Sequence, residues 1–230
     1  MKQKEWFDGM KQALPICLGL IPVGISYGIL AMQAGMSRFQ TVLMSLLVMA
    51  GSSQLAAVGM LGRSTVFSVI LAVFFINLRN LVMSSAVMSD LKKESVTAKL
   101  LGAFALCDES FALFSMSKNK SAGLLLGMNT CLYGAWVFSS FAGCVMGQIL
   151  PDTAAKSFGV AFYGAFLALL LPHSRKSGAI CLLVLMTAAV NTFLSCLLPA
   201  GWALILSMTV CAGIGTCFVK ENEETKDEQK

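Results

Sequence analysis

Charged residues are scarce in this 230-residue sequence, and their scarcity excludes an ordinary soluble fold. Only 13% of the residues are charged and 57% are hydrophobic, whereas an average soluble domain carries about twice that charged share. The sequence also has a single histidine and lacks the H-E-x-x-H, G-x-S-x-G and phosphate-binding motifs of common hydrolases and ATPases. We therefore predict a protein that is not an enzyme and that has no cofactor and no metal site.

Uncharged apolar runs recur along the chain at the length of about 20 residues that crosses a bilayer core. They predict an all-α integral membrane protein, a bundle of about seven or eight transmembrane helices, some of them kinked or discontinuous. The most economical division places helices at 12–34, 39–62, 64–88, 99–117, 121–150, 157–172, 178–198 and 201–219. Residues 1–219 then form a single polytopic membrane domain, and the mixed charges of residues 220–230 predict a flexible cytoplasmic tail.

The eight cysteines all lie within apolar stretches, with no C-x-x-C pair and no histidine beside them. We interpret them as reduced thiols that pack in the core, and not as a disulfide framework or a metal site.

The basic residues of the loops predict the orientation of the chain in the membrane. With the amino terminus inside, the cytoplasmic segments hold 11 of them: Lys2, Lys4, Lys11, Arg63, Lys118, Lys120, Arg175, Lys176, Lys220, Lys226 and Lys230. The outer segments hold five: Arg38, Lys92, Lys93, Lys99 and Lys156. Both termini are therefore predicted to be cytoplasmic. The loop with Lys92, Lys93 and Lys99 opposes this orientation, and a re-entrant second or third segment would change it.

Three charged residues fall inside the predicted helices, namely Arg79 in the third and Asp108 and Glu109 in the fourth. A charge at the bilayer centre costs about 2.5 to 3.5 kcal/mol on an insertion scale, so such residues usually face protein or water. One cation with two anions leaves one acid uncompensated, which could hold a proton or meet the ammonium group of an amino acid. Alternatively, an Arg79–Asp108 pair only orders the bundle and Glu109 reaches a water pocket.

The second predicted helix contains Ala50-Gly51-Ser52-Ser53-Gln54, a glycine and two good helix-capping residues in mid-membrane. Transporters often break helices at such points, because the free amide groups at the start of a half-helix attract a carboxylate. Ser52, Ser53 and Gln54 are therefore candidate ligands. Alternatively, the serines bond to their own helix and Gln54 bridges neighbouring helices.

Residues 24–31 of the first predicted helix resemble residues 159–168 of the sixth in their glycine, tyrosine, leucine and alanine positions. These two helices would run in opposite directions, as in an inverted-repeat transporter. Chance similarity between glycine-rich apolar helices is the alternative.

Four motifs in succession resemble the AzlC family of branched-chain amino acid permeases. They are PICLGLIPVGISYG from Pro15, AGSSQLAAV from Ala50, NLRNLVMS from Asn77 and CDESFAL from Cys107. The resemblance extends over residues 7 to about 219. The family's motifs fall here on Gln54, Asn77, Arg79, Asp108 and Glu109, which agrees with the positions that membrane energetics selects.

The resemblance implies a secondary transporter in the bacterial inner membrane, with leucine, isoleucine and valine as substrates, methionine as a further candidate and export as the usual direction. It also implies a small AzlD-type partner subunit of about 100 residues, enough for about four apolar spans, and no nucleic acid partner. The residues predicted to bind substrate or couple transport are Ser52, Ser53, Gln54, Asn77, Arg79, Asp108 and Glu109. Two rival functions are a channel or facilitator for a small polar solute and a non-transporting scaffold subunit of a membrane complex.

Overall fold

A computed structural model describes residues 3–92, 94–149 and 178–198, together with 202–203, 206–207, 209–211 and 213–215. All regular elements in these ranges are α-helices, which confirms the predicted all-α membrane bundle. They are α1 (Gln3–Gln33), α2 (Arg38–Leu47), α3 (Gly51–Met60), α4 (Val66–Asp90), α5 (Val96–Phe104), α6 (Asp108–Met116), α7 (Ala122–Ile149) and α8 (Gly178–Leu197). Among the described residues, α1, α4 and α7 are long and apolar enough to cross a membrane.

The chain forms two compact units, of which the first comprises Met1–Gly59 and Ile76–Phe162. The second comprises Met60–Phe75 and Tyr163–Lys230, and its α8 confirms the predicted helix at 178–198. There Asn191 Oδ1 accepts a hydrogen bond from Ser207 Oγ at 3.2 Å. The predicted helix at 157–172, the tail at 220–230 and the internal similarity at 159–168 lie outside the described residues. All the predicted site residues belong to the first unit.

Two long helices, α1 and α7, form the core of the first unit and run parallel to each other. A Cβ atom added to Gly127 would meet the backbone of Trp6, and one added to Gly143 would meet the backbone of Ile25. Residue numbers therefore rise together along both helices, and their backbones touch because small residues stand at the contacts. Helix α1 continues through Pro15 and Pro22, and α7 continues through Gly134 and Gly143.

In the first unit α4 runs antiparallel to α7, which corrects the eight-helix division, where the first, third and fifth helices share a direction. Asp90 Oδ2, at the end of α4, accepts a hydrogen bond from Lys120 Nζ at 2.6 Å, just before α7 begins. Eleven residues earlier, Arg79 bonds to Ser52. The neighbouring Gly51 packs against Trp136, midway along α7. Along α4, Arg79 therefore lies level with the middle of α7 and Asp90 lies level with the start of α7.

The predicted fourth helix, 99–117, is two helices that return to the side from which they came. Helix α5 ends at Phe104 and α6 begins at Asp108, with Cys107 between them in an extended conformation. Because Asp90 and Lys120 touch on either side of this segment, its two outer ends lie together and its tip points into the bundle. It is a re-entrant pair, and the prediction of one crossing helix here was wrong.

The predicted second helix, 39–62, is also broken, and here the structure confirms the expected break at Gly51. Helix α2 ends at Leu47, Val48 is extended, and α3 begins at Gly51. Gln54 Nε2 donates to Ser45 Oγ across the break at 3.2 Å. In a straight helix nine residues span about 13.5 Å, too far for this bond. The chain therefore turns back at residues 48–50, which makes α2–α3 a second re-entrant pair.

The two re-entrant pairs bring the basic residues of the first unit to one end. Its described lysines all lie near the start of α1 and α7: Lys4, Lys11, Lys92, Lys99, Lys118 and Lys120. Arg38 stands at the opposite end, at the beginning of α2, and Arg79 lies midway. The loop that opposed the predicted orientation thus joins the other lysines, because neither broken segment crosses the bundle.

Candidate functional site

The two helix breaks meet at Arg79, in the middle of α4. Arg79 Nη2 donates to Ser52 Oγ at 2.6 Å and forms an ion pair with Asp108 Oδ2 at 2.9 Å. Ser52 is the second residue of α3, and Asp108 is the first residue of α6. One guanidinium therefore contacts the starts of both α3 and α6. The two re-entrant pairs to which these helices belong enter the bundle from opposite ends.

The electrostatics of this meeting point favour an anion at the start of α3. The first residues of a helix leave backbone N–H groups without intrahelical partners and carry a partial positive charge. The first turn of α6 carries the Asp108 and Glu109 carboxylates, whereas the first turn of α3 has no acidic residue and lies beside the Arg79 guanidinium. The arrangement can receive the carboxylate of a small zwitterion through Arg79 and the free amides.

The Arg79–Asp108 pair is not sealed in a dry core. The side chains are 43% and 47% exposed, respectively, so the described part of the chain does not enclose either charged group.

Glu109 and Asn77 lie beside the centre without joining it. Glu109 is half-buried and follows Asp108 on α6, about 100° further around the helix axis. No ion pair reaches Glu109 in the described part of the chain, where the pairs are Arg79–Asp108 and Asp90–Lys120. Asn77 is half-buried, and its Oδ1 is buried without a hydrogen-bond partner. Glu109 is thus the acid that the charge count leaves uncompensated.

Ser53 and Gln54 face away from Arg79. Ser53 Oγ donates to the carbonyl oxygen of Ala50 at 3.0 Å, within its own chain segment. Gln54 is fully buried, and its Oε1 accepts a hydrogen bond from Trp136 Nε1 at 2.9 Å. The structure therefore brings Ser52, Arg79 and Asp108 together and places Ser53 and Gln54 on another side of α3.

The sequence analysis missed the residues that surround Gln54. Trp136 of α7 stacks on Tyr27 of α1, with ring centroids 5.9 Å apart. Ser45 and Ser140 are both fully buried and are hydrogen-bonded to each other at 2.9 Å. A tryptophan in the middle of a 28-residue apolar helix was a usable signal, because tryptophan usually lies at membrane interfaces.

The described cysteines are free thiols. Cys17 Sγ of α1 lies 3.3 Å from Cys131 Sγ of α7 in a hydrogen-bonding contact. Within the described ranges no three His, Cys, Asp or Glu side chains group together as metal ligands would.

Long apolar helices together with two broken helices and an ion pair at the breaks define a class, the polytopic membrane proteins with discontinuous helices. In such proteins half-helix ends commonly form the sites for small charged solutes. The chain belongs to the AzlC family: the family described as "AzlC protein" matches residues 15–150, which include Arg79, both helix breaks and α7 up to Ile149.

Relatives of the chain are membrane proteins from both bacteria and archaea. An uncharacterized membrane protein of Archaeoglobus fulgidus is 32% identical over 76% of this chain and 78% of its own length. Inner membrane protein YgaZ of Escherichia coli is 26% identical over 80% of this chain and 79% of its own length. Branched-chain amino acid transport protein AzlC of Bacillus subtilis is 28% identical over 59% of this chain and 55% of its own length. No solved structure matches the chain.

Proposed function

We propose that this protein is a secondary transporter of branched-chain amino acids, with leucine, isoleucine and valine as substrates and methionine as a further one. The observation that carries the proposal is the open Arg79–Asp108 pair at the meeting point of two half-helix starts. Membership of the AzlC family and the name of the Bacillus subtilis relative support the choice of substrate.

The proposed site divides a zwitterion among separate groups. Arg79 and the amides at the start of α3 hold the substrate carboxylate, and Glu109, which has no cation of its own, meets the ammonium group. The apolar side chain lies against hydrophobic residues beside the centre, such as Met49 next to the α2–α3 break and Met83 one turn after Arg79. Methionine side chains adapt to several aliphatic shapes, which suits a site for leucine, isoleucine and valine.

The orientation, direction and partner are part of the same proposal. The protein lies in the bacterial inner membrane with the lysine-rich end of the first unit in the cytoplasm, in accord with the positive-inside rule. Both termini are cytoplasmic, net movement is outward, and a small AzlD-type subunit of about 100 residues completes the transporter, with about four apolar spans.

Counterflow in proteoliposomes tests this function. Vesicles that contain this chain and the small subunit, preloaded with unlabelled leucine, are expected to accumulate labelled leucine transiently against its gradient. Labelled lysine in the same vesicles is the control, because its charged side chain is costly to place against methionine. Flux of leucine without counterflow would identify a channel, and no flux of any amino acid would identify a scaffold.

Cysteine labelling checks the orientation. We expect Lys92→Cys to react with a membrane-impermeant maleimide only from the cytoplasmic side and Arg38→Cys only from the outside, since both residues are exposed at opposite ends of the first unit. The unsubstituted protein measures the background from the native thiols. Labelling of both cysteines from the same side would contradict the re-entrant arrangement of α2–α3.

Neutralising Glu109 is expected to weaken substrate binding. Glu109→Gln removes the proposed partner of the substrate ammonium, so the KM for leucine should rise about tenfold or more, as for the loss of one charge-assisted hydrogen bond. Glu94→Gln, in the loop between α4 and α5, is the matched control and should leave KM unchanged. If Glu109→Gln keeps KM and instead removes the dependence of flux on a proton gradient, Glu109 carries a proton and does not bind the ammonium.

A further inference from the structure

A closed circuit of hydrogen bonds ties the start of α3 to α7. Trp136 Nε1 donates to Gln54 Oε1 at 2.9 Å, and Gln54 Nε2 donates to Ser45 Oγ at 3.2 Å. Ser45 Oγ donates to Ser140 Oγ at 2.9 Å, and Ser140 Oγ donates to the carbonyl oxygen of Trp136 at 2.8 Å. All four residues are at most 2% exposed, so no water competes for these bonds and each lost bond leaves a buried polar atom without a partner.

Trp136 is itself in contact with two further residues. Tyr27 of α1 stacks on it at an interplanar angle of 24°. The edge of its six-membered ring meets Gly51, the first residue of α3, where an added Cβ would come within 2.7 Å of Trp136 Cη2. Trp136 stands on α7, whose backbone packs directly against the backbone of α1 through small residues.

Gln54 and Ser52 point to different sides of the same helix. They are two residues apart, which separates their side chains by about 200° around the axis of α3. When Gln54 is bonded to Trp136, Ser52 is turned away from α7 and toward Arg79, whose Nη2 lies 2.6 Å from Ser52 Oγ. A rotation of α3 that broke the contact between Gln54 and Trp136 would also turn Ser52 away from Arg79.

We propose that Trp136 and Gln54 act together as positioning residues that set the rotation of α3 and so direct Ser52 and the free amides of the half-helix onto the substrate site at Arg79. This inference rests on the proposed function of that site. It assigns Gln54 an indirect role, because Gln54 affects the substrate site by orienting α3 and does not contact the substrate itself.

Trp136→Phe and Gln54→Leu test this role in leucine transport by the full chain with its small subunit. Each change is expected to raise the KM for leucine about tenfold with maximal flux kept within about twofold, because the site is misaligned and not removed. The double variant should be no worse than either single variant, because both changes break the same contact. Trp6→Phe, in the first turns of α1, is the matched control. If Gln54→Leu raises KM and Trp136→Phe does not, Gln54 binds substrate directly and the proposal is overturned.

Hydrogen–deuterium exchange provides a readout that does not depend on transport. In Trp136→Phe, amides of residues 51–58 should exchange about tenfold faster than in Trp6→Phe, as for a local opening made easier by one lost bond. Amides of α1 and α7 should keep their rates. Unchanged rates at 51–58, or a uniform rise that includes α1 and α7, would overturn the inference. If the unaltered protein moves no leucine, the proposed function fails, and the exchange data still decide whether Trp136 orients α3.

Discussion

We expect leucine flux in proteoliposomes to fall to the level of empty vesicles when Arg79 is replaced by alanine. Arg79 is the described cation at the meeting point of α3 and α6, and its Nη2 serves both Ser52 and Asp108. Its removal takes away the group proposed to hold the substrate carboxylate and leaves the Asp108 and Glu109 carboxylates to repel that carboxylate. We expect a loss of about a hundredfold or more, as when an ion-pair partner of a bound carboxylate is deleted.

Arg79→Lys separates charge from geometry. A lysine ammonium keeps the charge but lacks the planar fork that contacts two partners at once. Flux should therefore remain far below that of the unaltered protein. Lys92→Ala, in the loop after α4, is the control for loss of a basic residue outside the site. Because the Arg79 and Asp108 side chains are half-exposed, Arg79→Ala should keep its elution volume and helix content. Full flux in a folded Arg79→Ala variant would reject the proposed site.

The second large effect concerns the contact between α1 and α7. Gly143→Val places a branched side chain against the backbone of Ile25, where even a Cβ atom does not fit. Neither helix can move aside easily, because the contact recurs at Gly9, Gly28 and Gly127 along both helices. We expect a loss of about 3 kcal/mol or more, the upper range of overpacking, and a Tm lower by roughly 10 °C.

Gly134→Val is the matched control on the same helix. Nothing lies within 4 Å of a Cβ atom added at Gly134, so the substitution should leave the Tm unchanged or slightly raised, since valine is the better helix former. Thermal unfolding in detergent, followed by fluorescence-detected size exclusion, measures both variants. Equal Tm values for the two variants would contradict the close parallel packing of α1 and α7.

The break before Gly51 was predicted from sequence because it leaves a local signal. Glycine followed by two serines offers a helix start that needs no distant partner. The break before Asp108 was missed, although aspartate and serine are also good capping residues, because Leu106 and Cys107 continue the apolar run. Arg79, Asp108 and Glu109 were likewise selected from sequence as candidate site residues, because they are charged and lie inside apolar segments. The free-energy cost of a charge in lipid depends on its depth in the bilayer and not on the fold.

The direction of α4 and the separation of Gln54 from Ser52 could not be predicted from sequence. Hydropathy measures whether a segment is apolar enough for lipid, and two half-length helices in a re-entrant pair have the same hydropathy as one crossing helix. The contact between Asp90 and Lys120 decides between them, and those residues are 30 positions apart. The loop with Lys92 and Lys99 opposed the predicted orientation because that prediction has residues 39–62 cross the membrane, whereas α2–α3 turns back.

By itself the sequence determined that the chain is a helical membrane protein, where its charged residues interrupt the apolar helices, and which family it resembles. These properties follow from the transfer free energy of short segments, which is local. Only the tertiary structure decided that α2–α3 and α5–α6 turn back, that Arg79 joins their tips, and that Gln54 bonds to Trp136. Those outcomes depend on contacts between residues far apart in the chain, such as Asp90 with Lys120 and Gln54 with Trp136, which no local property of a segment determines.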